Sequence, residues 1–97
     1  MSRFFELYLH ASHQQQKLLL MSLNDEQLKL LTEIIYNTAM ENIPIPSEDK
    51  KKLSKYKTGI RKVLVEGISR TNRRRRLLYI SNIIPVFIHN YLQWLEK

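Results

Sequence analysis

The chain has 97 residues, a hydrophobic fraction of 43% and a formal net charge of +7. This length leaves no room for a second core, and the hydrophobic fraction is too high for a disordered chain. The absence of cysteine excludes disulfides and thiolate metal sites, and two glycines and three prolines are too few for a many-stranded β fold. We therefore expect residues 1–97 to form a single all-α domain, a compact bundle of four to five helices.

The first predicted helix spans residues 3–21, where the apolar positions are patchy. The second helix has a clearer start, because Asn24 is a good N-cap and Gln27 stands at the capping-box position three residues later. Leu23 and Leu28 also have the spacing of a hydrophobic staple. The apolar periodicity that follows predicts an amphipathic helix.

This second helix is expected to run to about Glu41, because two prolines in residues 42–46 force an extended backbone. Ser47 is the candidate N-cap of a third helix, which is amphipathic and strongly basic. Gly67 is expected to end that helix as its C′ residue. The predicted buried stripe of the third helix consists of Leu53, Tyr56, Ile60, Val63 and Leu64.

Two more helices are predicted in the last third of the chain. Ser69 or Thr71 can cap a short fourth helix that carries four consecutive arginines at residues 73–76. Asn82 is a candidate cap for an apolar C-terminal helix over residues 83–96.

The charge is divided unevenly along the chain. An acidic half, residues 1–49, carries three basic and seven acidic side chains, a net charge of −4. A basic segment, residues 50–76, carries twelve basic side chains and one acid, a net charge of +11. Like charges repel one another in a folded chain, so this concentration favours an anionic partner over a merely solvated face.

The basic segment predicts a surface that binds phosphates. Arginines near a helix N-terminus are repelled by the helix dipole, whereas phosphate oxygens there would accept hydrogen bonds from guanidinium groups and free helix amides. We expect sequence-independent contacts with a nucleic-acid backbone, with DNA favoured over RNA. Tyr56 and Tyr79 are expected in the core rather than as stacking platforms for bases. The candidate nucleic-acid-binding residues are Lys50, Lys51, Lys52, Lys55, Lys57, Arg61, Lys62, Arg70, Arg73, Arg74, Arg75 and Arg76.

Two other functions remain open at this point. The turn between the third and fourth helices permits a helix-turn-helix reader of DNA, although Asn72 is the only amide beside the arginines that could read a base edge. A protein-interaction module could instead pair the acidic half of one copy with the basic segment of another, or with a capsid protein. Tyr91 and Trp94 could anchor such an interface.

Several classes of function are not expected. The sequence has no glycine-rich phosphate loop, no nucleophile with a placed base and no close carboxylate pair, so we expect neither an enzyme nor a bound cofactor. His10 and His13 share a helical face but lack a neighbouring carboxylate, which favours surface histidines over a metal site. Neither a membrane-spanning run nor a signal peptide is present, so we expect a soluble intracellular protein without a membrane partner. Residues 50–52 and 73–76 also match nuclear-import patches.

Five short segments follow one another in a recognisable order: LNDEQL at 23–28, EIIYN at 33–37, NIPI at 42–45, KKKLSKYK at 50–57 and RRLL at 75–78. In this order they resemble a family of small basic proteins encoded by animal Polinton/Maverick elements and the related adintoviruses. The resemblance covers a little over half of the chain and implies a virion-core or DNA-condensing role, in the nucleus or the virion. Members of that family follow the basic-Leu-Leu element with a glycine pair, whereas this chain has YISNIIP at 79–85.

Overall fold

The computed structural model describes residues 2–97, which form seven α-helices and no strand. The helices are α1 (Ser2–His10), α2 (His13–Met21), α3 (Asp25–Ala39), α4 (Ser47–Ser54), α5 (Lys57–Leu64), α6 (Arg70–Tyr79) and α7 (Ile84–Leu95). The prediction of an all-α fold is confirmed. The predicted number of four to five helices is wrong, because the first and third predicted helices are each divided in two.

The first division occurs at Ser12, which is the N-cap of α2. Its Oγ accepts a hydrogen bond from the Gln15 amide at 3.2 Å, and the Gln15 side chain accepts one from the Ser12 amide at 2.9 Å. This reciprocal capping box satisfies amides that a new helix leaves unpaired, so the chain can change direction within the predicted helix.

The second division separates α4 from α5. The Ser54 hydroxyl donates to the Lys51 carbonyl at 2.8 Å, and the Tyr56 amide bonds the Leu53 carbonyl at 2.9 Å in a tighter, three-residue turn. Leu53 and Ile60 are both buried, so both short helices pack against the same core.

Two predicted N-caps are confirmed. Asn24 Oδ1 accepts from the Gln27 amide at 2.8 Å, while the Gln27 side chain accepts from the Asn24 amide at 3.0 Å. Ser69 Oγ accepts from the Asn72 amide at 3.1 Å at the start of α6. Both signals are local, since the cap and its partner lie three residues apart.

Two other predicted caps are corrected. Ser47 is the first residue of α4 and follows the N-cap Pro46, and α7 follows the N-cap Ile83 rather than Asn82. Neither of these N-caps forms a side-chain hydrogen bond with its helix.

Gly67 also has a different position from the predicted one. α5 already ends at Leu64, with Val65 as its C-cap, so Gly67 lies in the turn that leads to α6. Its φ of +80° falls in the region that favours glycine, which explains why the turn carries this residue.

The core draws side chains from all seven helices. Its largest fully buried members are Tyr8, Phe5 and Phe87. Around them α1 packs on α7, α2 packs on α6, and α5 packs on both α3 and α6. In the predicted stripe of the third helix, Leu53, Ile60 and Val63 are buried, and Tyr56 and Leu64 pack partly buried against the core.

α5 and α6 run antiparallel and approach each other closely. A Cβ atom at Gly59 would lie 2.6 Å from Ile80 Cγ2, and Arg76 reaches the Lys62 carbonyl one turn away. The absence of a side chain at Gly59 therefore allows the two helices to pack at this distance.

The Tyr8 hydroxyl is the one buried side-chain polar atom without a hydrogen-bond partner among the described residues. Tyr8 is fully buried, and this burial raises the pKa of its phenol. Because Tyr8→Phe removes the unpaired oxygen and keeps the ring, we expect it to stabilise the fold by about 1 kcal/mol. Thermal unfolding should then show a Tm higher by roughly 4–8 °C. A lower Tm would contradict this expectation and imply that the hydroxyl is hydrogen-bonded.

Candidate nucleic-acid interface

The structure divides the twelve predicted basic residues into two groups. Five side chains bond to other groups of the same molecule: Lys50, Arg70, Arg73, Arg74 and Arg76. The other seven side chains form no hydrogen bond or ion pair within residues 2–97, and we call them the free cations: Lys51, Lys52, Lys55, Lys57, Arg61, Lys62 and Arg75.

Two of the arginines bind the C-terminal end of α5. Arg73 Nε donates to the Val63 carbonyl at 3.0 Å and its Nη2 donates to the Val65 carbonyl at 2.6 Å. Arg76 Nη1 donates to the Lys62 carbonyl at 2.7 Å. The last carbonyls of a helix have no partner within it and carry the negative end of its dipole, so these guanidinium groups stabilise the end of α5.

Arg74 joins the basic segment to the acidic half. Its Nε donates to the Leu23 carbonyl at 2.9 Å, and its Nη2 lies 3.5 Å from Asp25 Oδ1. Arg70 Nε lies 3.3 Å from the same carboxylate oxygen. The side chain of Asp25 is 60% exposed, so water screens both ion pairs and the bond to the buried Leu23 backbone is the stronger link.

Helical geometry explains why the four consecutive arginines behave differently. At 3.6 residues per turn, Arg73 and Arg76 lie on the side of α6 that faces α5, and Arg74 lies on the side that faces the start of α3. Only Arg75 lies on the outer side and is exposed. Arg73, Arg74 and Arg76 thus already bond within the fold, whereas Arg75 is the one of the four arginines without such a bond among residues 2–97.

The interior contacts of α4 determine which of its lysines face outward. Asn90, which is 4% exposed, donates from Nδ2 to Asp49 Oδ2 at 2.9 Å, and Leu53 is buried one turn later. Asp49 and Leu53 share one side of the helix. Away from these contacts, Lys51 and Lys52 of α4 and its C-cap residue Lys55 are exposed.

α5 also carries exposed free cations. Lys57 and Arg61 lie one turn apart on the same exposed side, and both line a groove of about 480 Å³ between α4, α5 and the end of α3. Lys50 lies across that groove and pairs with Glu41 at 3.2 Å, an exposed contact of little stabilising value. Five free cations thus lie on two consecutive helices, and we call this set the α4–α5 surface: Lys51, Lys52, Lys55, Lys57 and Arg61.

The two tyrosines of this region differ in position. Tyr56 is partly buried and packs against the core, as predicted. Tyr79 is 84% exposed, so its predicted core position is wrong. It stands in an apolar run between the partly buried Leu78 and the buried Ile80, and nothing in that run indicates which residue faces outward.

Two aromatic residues of α7, Tyr91 and Trp94, differ in how accessible they are. Tyr91 is partly buried and packs edge-on against Phe5, with ring centroids 6.1 Å apart. Trp94 lies next to it at 6.4 Å and is 44% exposed. Tyr91 therefore contributes mainly to the core, and Trp94 is the more accessible of the two.

No helix of residues 2–97 is long and apolar enough to cross a membrane. Across the same residues, no three His, Cys, Asp or Glu side chains gather into a group that could hold a metal ion. Comparison of the chain with protein-family models, with curated proteins and with solved structures finds no match.

Proposed function

We propose that the protein binds nucleic-acid backbones without sequence preference, and DNA in preference to RNA, through the free cations. One observation carries the proposal: five of these side chains lie on two consecutive helices and have no partner within residues 2–97. Lysine and arginine neutralise phosphates and release condensed counterions, which gives affinity for any sequence.

The composition of the α4–α5 surface supports binding without sequence selectivity. Base edges are read mainly by the amides of Asn and Gln and by arginine forks that enter a groove. Neither α4 nor α5 contains an amide side chain, and Arg61 is the one arginine of these two helices. The helix-turn-helix alternative needs α6 as a reader, yet Arg73, Arg74 and Arg76 bond backbone carbonyls. Contacts with backbone phosphates through α4 and α5 therefore explain these cations more simply than reading of base edges does.

The alternative of a protein-interaction module draws on the same charges. Within one molecule, Asp25 already pairs with Arg70 and Arg74, and Glu41 pairs with Lys50. These contacts use charges that the alternative assigns to an interface between copies or with a capsid protein. The α4–α5 surface has no such internal partner among the described residues, which favours an external polyanion.

The resemblance to Polinton/Maverick and adintovirus proteins supports a proposal about which DNA is bound and where. We propose that the bound polyanion is viral or mobile-element DNA, condensed in the nucleus or the virion. The resemblance includes KKKLSKYK at 50–57, which contributes four of the five residues of the α4–α5 surface.

An electrophoretic shift titration against duplex DNA, duplex RNA and heparin tests the proposal. If about six phosphates are contacted, the plot of log K against log salt concentration should have a slope near −5. Affinity that does not change between about 50 and 300 mM salt would exclude this mechanism. A stable oligomer whose size is indifferent to DNA would instead favour the protein-interaction module.

A further inference from the structure

Tyr79 is the most exposed large hydrophobic side chain among the described residues, at 84%. Its ring forms no aromatic pair and its hydroxyl forms no hydrogen bond within residues 2–97. A single exposed apolar residue is ordinary on a protein surface, so exposure alone assigns no role. The neighbouring cation is what makes this position distinctive.

Arg75 lies four residues before Tyr79 on α6, so the two side chains are neighbours on the outer side of that helix. Arg75 forms no hydrogen bond or ion pair within residues 2–97, so its guanidinium group is available to a ligand. The exposed ring of Tyr79 is therefore flanked by one free cation of its own helix.

We infer that Tyr79, together with Arg75, forms a stacking site for an unpaired base, so that the protein binds single-stranded nucleic acid more tightly than duplex. This inference rests on the proposed function, because the free cations must first hold the phosphates. In a duplex each base is stacked between its neighbours and offers no free face to a ring on a convex helix. In a single strand every base has an accessible π face, and an aromatic ring flanked by a cation is a common stacking platform.

The test compares variants of Tyr79 on two probes, an oligothymidine of about 20 nucleotides and a duplex of the same length, by fluorescence anisotropy. Tyr79→Ala should weaken single-strand binding roughly tenfold and change duplex binding by less than about twofold. Tyr79→Phe keeps the ring and should bind both probes as the parent protein does. Tyr79→Leu keeps an apolar side chain without a flat ring and should lose single-strand affinity as the alanine variant does.

The outcomes separate this inference from the proposed function. Equal losses on both probes, full affinity in Tyr79→Ala, or full affinity in Tyr79→Leu would each overturn the stacking site. None of these variants changes a charge, so the salt dependence of binding should stay the same in all of them. Binding that lacks salt dependence in the parent protein would overturn the proposed function itself. Because Tyr79 is so exposed, unchanged thermal unfolding is expected to show that all three variants are folded.

Discussion

Replacing Arg73 with alanine is expected to lower the free energy of unfolding by about 2 kcal/mol. The change removes two hydrogen bonds from a charged group, to the Val63 and Val65 carbonyls, and also a cation at the C-terminal end of α5. In a domain of this size, a loss of about 2 kcal/mol corresponds to a Tm lower by roughly 8–16 °C. Thermal or urea unfolding followed by circular dichroism measures the change.

Arg75 provides a matched control on the same helix. It is the same residue type two positions along, but it is exposed and has no partner within residues 2–97. Arg75→Ala should change the stability by no more than about 0.5 kcal/mol. Arg73→Lys should recover only part of the loss, because a single ammonium lacks the planar fork that reaches two carbonyls. Equal losses in Arg73→Ala and Arg75→Ala would show that the carbonyl bonds do not stabilise the fold.

Neutralising most of the α4–α5 surface is expected to have the largest effect on nucleic-acid binding. The variant replaces four exposed residues with glutamine: Lys51, Lys55, Lys57 and Arg61. If each removes one phosphate contact out of about six, the slope of log K against log salt should fall from about −5 to about −2. Affinity for duplex DNA at about 0.1 M salt should fall by roughly three orders of magnitude. Electrophoretic shift at several salt concentrations gives both quantities.

A second quadruple variant separates position from total charge. It replaces four exposed cations outside the basic segment with glutamine, and its net charge changes from +7 to +3, as in the first variant. The replaced residues are Arg3, Lys17, Lys29 and Lys97. This variant should keep most of its affinity and a slope near −5. Equal losses in the two variants would mean that net charge, rather than the α4–α5 surface, drives binding.

The features that the sequence predicted correctly depend on residues close together in the chain. The capping box at Asn24 and the cap at Ser69 each involve a partner three residues away, and both are present. The buried stripe of Leu53, Ile60 and Val63 follows from helical periodicity, although the helix is broken within it. Periodicity continues across the break because both short helices pack against one core.

The features that the sequence did not predict depend on how the helices pack together. Four identical residues at 73–76 give no sign of which side of α6 meets α5, so the structural roles of Arg73, Arg74 and Arg76 require the tertiary fold. The same limit applies to Tyr79, whose apolar neighbours suggested burial. Gly59 is the one sequence signal that could have indicated the close approach of α5 and α6, since a glycine inside a helix is costly without such a reason.

The bonds from α6 to α5 have a consequence for the sequence changes that this pair of helices can tolerate. Arg73 and Arg76 donate to backbone carbonyls, which every residue supplies whatever its side chain. A join between two charged side chains would be lost when either one was replaced. The accepting side of this join therefore does not depend on the side chains at Lys62 and Val65, whereas the donating side requires the two guanidinium groups of α6.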